Sequence, residues 1–161
     1  MRGKPQESDP GVKLVAQNRR ARHEYSVEDT FEAGLALTGS EVKSLREGNV
    51  SLSDAYAQPR GDELFLVNCR IGEYRQAAHF GHAPLRDRKL LLRRIEIDRI
   101  RGKVEQRGYT LVPLRLYFKE GWAKVELGLA RGRAREDRRD AIAERESKRE
   151  MDRALSRNRG R

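Results

Sequence analysis

The clearest apolar pattern lies in TLVPLRLYFKEGWAKVELGLA, residues 110–130. Val112, Leu114, Leu116 and Phe118 alternate, and so do Ala123, Val125, Leu127 and Leu129. Each set therefore falls on one side of an extended strand. The Lys119-Glu120-Gly121 connection is short enough to make a hairpin with one buried face. Pro113 points away from that face and, lacking an N–H, suits a strand edge. A second hairpin is predicted in DAYAQPRGDELFLVNCRI, where Pro59, Arg60, Gly61 and Asp62 supply the turn. YSVEDTFEAGLAL gives one or two further strands carrying Phe31, Leu35 and Leu37, and RKLLL is a short strand candidate.

Two helices fit between the strands. TGSEVKSLREG offers Thr38 or Ser40 as N-cap, Val42 and Leu45 three apart, and Gly48 as a stop. In RRIEIDRIRGKVEQRG, Ile97, Ile100 and Val104 share one helical side, and Gly108 ends the run. About six short antiparallel strands with two small helices predict a mainly β fold with peripheral helices. An OB-like antiparallel barrel suits that count.

Around this domain, residues 19–130, two flanks differ in pattern. Residues 1–18 are polar and proline-bearing, with little periodicity, and read as a flexible arm. Residues 131–161 form a charged tail. Of the twenty residues RGRAREDRRDAIAERESKRE, fourteen are charged, and Ile142 is the only large apolar side chain. Such a segment cannot offset its own ordering entropy, so it is expected to be disordered when free. Wound as a helix, however, it places Arg131, Arg135, Arg138, Arg145, Arg149 and Arg153 in a stripe about 80° wide. Against a polyanion that stripe meets phosphates, and the tail is expected to become helical on binding.

Charge sharpens the picture. The chain of 161 residues carries 35 Lys and Arg against 25 Asp and Glu, a net charge of +10. That excess predicts a polyanionic partner. No apolar run approaches the roughly 20 residues of a membrane span, and the N-terminus lacks the apolar core of a secretory signal. Nucleic acid is favoured over a membrane. Cys69 stands alone, which excludes an internal disulfide and fits a reducing cytoplasm.

Catalytic signals are nearly absent. His79, His82 and Cys69 lack the spacing of a zinc site and read as loop histidines and a lone thiol. No phosphate-binding loop, HExxH or GxSxG motif is present. The expectation is a binding protein with no catalytic residues, cofactor or metal. Basic and aromatic residues interleave instead. NRRARHEY sets Arg19, Arg20, Arg22 and His23 beside Tyr25, and APLRDRKLLLRR sets Arg86, Arg88, Lys89, Arg93 and Arg94 around leucines. Cations that track phosphates beside aromatic stacking surfaces are what RNA binding requires.

NRRARHEY, then FEAGLALTGSEVKSLREGNVSLSDAY, RKLLL, GYTLVPLRLYF and KVELGLARG resemble, in that order, the SsrA-binding protein (small protein B) family. The resemblance runs from about Asn18 to Glu150. It implies bacterial ribosome rescue: binding the transfer-RNA-like domain of transfer-messenger RNA and delivering it to stalled ribosomes, with no enzymatic activity. It also implies an OB-like barrel, and a tail that enters the decoding centre and message channel of the small subunit.

Carried over residue by residue, the RNA face includes Tyr25, Glu32, Tyr56, Lys89 and Leu91. The basic clusters, with Lys43, complete it. Glu32 opposes phosphates and makes sense there if it accepts base or sugar donors, or orients an arginine. At Arg93 relatives often carry a neutral hydrogen-bonding residue. In the tail, the family's GKK motif stands as Gly132-Arg133-Ala134. Its Asp-Lys-Arg motif stands as Asp137-Arg138-Arg139, preceded by Glu136. Ile142, Arg145 and Arg149 complete the expected ribosome-binding set. The protein is expected to be monomeric. A general RNA chaperone or ribosome-assembly module, and an RNA-processing enzyme with a cross-strand site, are the competing readings.

Overall fold

The computed structural model describes residues 11–74, 81–106, 108–132 and 148–154. The chain runs through β1 (Val12–Gln17), α1 (Arg19–Glu24), β2 (Tyr25–Leu35), α2 (Gly39–Arg46), β3 (Val50–Ser51) and β4 (Tyr56–Arg60). It continues through β5 (Glu63–Val67), β6 (Arg70–Ile71), β7 (Arg88–Leu91), α3 (Arg94–Val104), β8 (Tyr109–Lys119) and β9 (Trp122–Gly132). Residues 148–154 are helical. Strands β8, β4, β5, β7, β2 and β9 hydrogen-bond in that order, and β9 pairs back with β8. The result is a closed ring of six antiparallel strands, the strand count expected from the sequence. β3 and β6 form a small separate pair.

The ring encloses the main core. Leu64, Leu66, Leu90, Leu111, Leu116, Val125 and Leu127 are buried there, joined by Leu45 of α2 and Ile97 and Ile100 of α3. Both expected helices form. Thr38 caps α2 through a capping box: its hydroxyl accepts from the Glu41 N–H while the Glu41 carboxylate accepts from the Thr38 N–H. The β8–β9 hairpin turns on Glu120 and Gly121, with φ of 51° and 84°, the left-handed pair that a two-residue turn matching strand twist requires.

Four expectations are corrected. First, Val12–Gln17 is not part of a mobile arm. It forms β1, which lies against β8 outside the ring. Val12, Leu14 and Val15 supply half-buried contacts that a polar reading overlooked.

Second, the two expected helices are joined by a third, the short α1 over Arg19–Glu24. Asn18 caps it, its Oδ1 accepting from the Ala21 N–H at 3.1 Å.

Third, Val112 and Leu114 do not share a side with Leu116 and Phe118. A bulge between Pro113 and Arg115 inserts Leu114 as an extra residue, and one inserted residue exchanges the two sides of a strand. Val112 and Leu114 instead pack with Ala21 and Ala130 in a second, smaller cluster beneath α1. Pro113 is therefore not at an edge; β8 is paired on both sides, and the proline sits at the bulge, where a missing N–H is harmless. Asn18 secures the bulge: its N–H donates to the Leu114 carbonyl at 2.8 Å and its Nδ2 to the Pro113 carbonyl at 3.0 Å.

Fourth, β9 runs to Gly132, so Arg131 and Gly132 pair with Ser26 and Tyr25 in the sheet. Arg131 does not belong to a tail helix. Its guanidinium stacks 4.4 Å from the Tyr109 ring and donates to the Tyr109 hydroxyl at 2.7 Å.

Candidate nucleic-acid interface

The polar halves of the same alternating strands build the site. On β8 Tyr117 and Lys119 alternate with Leu116 and Phe118. On β9 Lys124 and Glu126 alternate with Ala123, Val125 and Leu127. These face outward with Thr30 and Glu32 of β2 and Lys89 and Leu91 of β7. The chain then continues through Leu92, Arg93 and Arg94 into α3. Together they line a cleft of about 1200 Å³. Four predicted residues, Glu32, Lys89, Leu91 and Arg93, meet in it.

Leu91 is 51% exposed, while its neighbour Leu90 is buried in the core. A core role for Leu91 is excluded. It pairs across the sheet with Gly34, where an added Cβ would approach the Leu91 Cβ to 3.2 Å. Glycine at that position lets the leucine lie close over β2.

The cleft is not uniformly basic. Lys89 pairs with Glu63 at 3.1 Å, and Arg94 lies 3.8 Å from Asp62. Glu32 sits directly opposite Glu126 in the β2–β9 register. The Tyr117 hydroxyl donates to Glu32 Oε2 at 2.6 Å, and Lys119 Nζ stands 3.5 Å from Oε1. Arg115 donates to Glu126 Oε2 through both Nε and Nη2. Burial, with the Glu32 carboxylate as acceptor, pushes the Tyr117 phenol well above its ordinary range, so it remains a donor. Among the described residues, neither Arg93 nor Lys124 has an ion-pair partner, leaving two cations open to phosphates.

α1 divides its cations between two smaller hollows. Ala21 is buried. Arg20, on one side of it, joins Tyr25 and Tyr56 around a hollow of about 340 Å³. Arg19, Arg22 and His23 lie on the other side, beside Arg115, in one of about 260 Å³. Tyr25 and Tyr56 are thus brought together as aromatic surfaces with one arginine, away from the large cleft. Arg20 also pairs with Glu24 at 2.6 Å.

Other predicted residues lie elsewhere. Arg88 is wholly buried and cannot touch RNA: its side chain pairs with Glu41 and donates to the Cys69 carbonyl at 2.6 Å. Strand alternation explains it, since Arg88 and Leu90 point inward while Lys89 and Leu91 point outward. Lys43 is exposed on α2 over the Tyr74 ring, 5.4 Å from its centroid, and lines none of these hollows. His82 lies in a loop as expected but is buried there, contacting the Ser40 hydroxyl at 2.9 Å and the Ile71 carbonyl at 3.0 Å. No cluster that could hold a metal exists among the described residues. In the tail, Gly132 closes β9 and Arg149 is exposed in the helix at 148–154. Arg133, Asp137, Arg138, Arg139, Ile142 and Arg145 lie outside the described residues, as do Ala134, Glu136 and His79.

The sequence reading overlooked Tyr117, Lys119, Lys124 and Glu126, though the pattern that revealed the apolar side of the hairpin marked them by complement. Trp122, 73% exposed at the hairpin turn beside Lys119, was overlooked too.

A family model described as SmpB protein matches residues 15–157. The chain belongs to this family. The matched span begins inside β1 and runs beyond the ring, so the family pattern includes both the outer strand and the tail. An SsrA-binding protein of Anaeromyxobacter sp. (strain K) is 80% identical over 154 residues, covering 96% of this chain and 94% of its own. The SsrA-binding protein of Myxococcus xanthus is 63% identical over 150 residues, 93% of each chain. A solved structure described as "tmRNA-SmpB: a journey to the center of the bacterial ribosome" superposes with a TM-score of 0.64 at 51% identity. That match covers 76% of this chain and 85% of the other.

Proposed function

We propose that the protein binds transfer-messenger RNA and delivers it to stalled ribosomes for trans-translation, acting as a binding factor and not as an enzyme. The supporting observation is the cleft that gathers Glu32, Lys89, Leu91 and Arg93 on the outside of the ring. It combines cations for phosphates, an exposed leucine for a base or sugar face, and carboxylates for donors. The transfer-RNA-like domain would occupy this cleft, with Tyr25 and Tyr56 stacking on unpaired bases at the edge of the ring. Arg19, Arg20, Arg22 and His23 extend the contact along the backbone, and Lys43 adds a peripheral one.

The tail takes the second task. Beyond Gly132 its arginines engage the decoding centre and message channel of the small subunit, becoming helical as they meet ribosomal RNA. Arg149 and Arg153, four apart in the helix at 148–154, lie on one side of it. No helix among the described residues is long and apolar enough to cross a membrane; we place the protein in the cytoplasm with the ribosomes, as a monomer.

Pull-down of the protein from cells, with sequencing of the bound RNA, tests the reading. One dominant structured RNA, the transfer-messenger RNA, is the expected result. A broad RNA population would instead mark a general chaperone or assembly module, and turnover of added RNA would mark an enzyme.

A further inference from the structure

Glu126 presents a problem that the fold does not solve. Its side chain is only 4% exposed. Oε2 takes two hydrogen bonds from Arg115. Oε1 is buried and has no hydrogen-bond partner among the described residues. A buried carboxylate oxygen left without a donor is unfavourable, and native structures rarely tolerate one without a reason. Position supplies the reason. Glu126 lines the large cleft and stands in register with Glu32, whose own oxygens are already met by Tyr117 and Lys119. Placing a second carboxylate on a surface meant for phosphates works against electrostatics, unless that carboxylate receives something phosphates cannot offer.

We propose that Glu126 Oε1 is a specificity-determining acceptor that takes one N–H or O–H donor from a nucleotide bound in the cleft. This rests on the cleft being the RNA site. RNA offers such donors from two sources, the imino and amino groups of a base edge and the ribose 2′-hydroxyl. Either would satisfy Oε1 on binding. In both, Glu126 separates an RNA presenting a donor at that point from one presenting an acceptor, because an acceptor there would face a buried carboxylate oxygen that still lacks a donor.

Glu126→Gln separates this from simple electrostatics. The amide keeps an oxygen for Arg115, so its NH₂ takes the place of Oε1 and turns an acceptor into a donor. It also removes a negative charge from a phosphate-binding surface, which alone would tighten binding. The inference predicts the reverse: affinity for a transfer-messenger RNA transcript falls tenfold or more (roughly, from a hydrogen bond to a charged acceptor). The salt dependence keeps its slope, because no phosphate contact is lost. Circular dichroism and melting establish that the variant is folded. Should it not fold, Glu126→Asp retracts the carboxylate while keeping its charge, and is expected to weaken binding likewise.

A second arm leaves the protein intact. Guanosines are replaced singly by inosine, and nucleotides singly by their 2′-deoxy forms, in the transcript. One such deletion is expected to weaken binding to the wild-type chain and to have no further effect on the Glu126→Gln chain, the signature of a shared contact. Inosine sensitivity assigns the guanine amino group, deoxy sensitivity the ribose. Binding by Glu126→Gln as tight as wild type, or donor deletions whose effects all add to those of the variant, would overturn the inference. Failure of the wild-type chain to bind the transcript at all would instead sink the proposed function.

Discussion

Arg88 and Glu41 stand 47 positions apart and bury their charges against each other, Arg88 Nε donating to Glu41 Oε2 with neither side chain reaching solvent. The pair ties the end of β7 to α2, and Arg86 adds a second cation on Glu41 Oε1. Burial by itself would raise the Glu41 carboxyl. Hydrogen bonds from Arg86, the Thr38 N–H and Arg88 outweigh that effect and hold it at about 2, against an ordinary 4.5. The folded chain therefore binds this proton less tightly than the unfolded one. The resulting stability, on the order of 3 kcal/mol, is complete above about pH 4.5 and drains away as the pH falls toward 2. Urea midpoints across that window are expected to drop steeply for wild type and more gently for Glu41→Gln. Parallel curves would show that Glu41 is not the group responsible.

Neighbouring cations in RKLLL are expected to behave as opposites. Arg88→Ala leaves the Glu41 charge buried with less compensation and is expected to destabilise the fold by about 3–5 kcal/mol. Lys89→Ala breaks an exposed pair with Glu63 and is expected to change stability by less than about 1 kcal/mol. In RNA binding the order reverses. Replacing Lys89 together with Arg20 is expected to flatten the dependence of log affinity on log salt by about 1.5. An unchanged slope would place both cations away from RNA.

Leu91→Asp is expected to keep the fold and weaken RNA binding by about 1–3 kcal/mol, since the side chain is exposed in the cleft. Gly34→Ala offers an independent check, because its methyl presses on the Leu91 Cβ without touching the cleft's charges. A milder loss of affinity is expected, with the salt slope unaltered. Melting curves monitor both variants, and a large drop for Leu91→Asp would contradict its outward placement.

Deletion after Gly132 is expected to leave RNA binding nearly intact while abolishing tagging and release on stalled ribosomes. Residues 133–161 hold 11 basic and 7 acidic side chains and almost nothing a core could use. The cut belongs after Gly132 rather than before Arg131, because Arg131 stacks on Tyr109 and pairs with Ser26. A filter-binding assay beside a reconstituted tagging reaction reads both halves; tagging by the truncated chain would remove the tail from the mechanism.

What the sequence disclosed, and what it withheld, follows from how local each cause is. The hairpin, an N-cap at Thr38 or Ser40 and the turn at Gly61 are written within a few residues and were legible. The exchange of sides at Leu114 was not. Alternation assumes an unbroken strand, and the bulge is held by Asn18, a residue 96 positions earlier than Leu114 that supplies the hydrogen bonds the interrupted ladder gives up. Arg88 was misread because an arginine among leucines looks like a surface cation until Glu41 arrives from a distant helix. In the cleft, Lys89 and Leu91 were found from motif resemblance. Tyr117 and Glu126 were missed because a polar residue on an alternating strand carries no sign of what lies beside it across the ring.

β9 is the partner of both β2 and β8 along nearly its whole length, and it is the last strand of the ring to be made. During synthesis β2 must wait, from its own emergence, for a partner almost a hundred residues downstream, with an unpaired edge exposed in the meantime. Contacts of such sequence separation form slowly, and open edges invite pairing with other chains. The ring therefore cannot close until the chain has reached Gly132, whatever pairs beforehand. A nascent chain cut short before that point would carry two sticky edges and no closed core, a form suited to chaperones and proteases rather than to RNA.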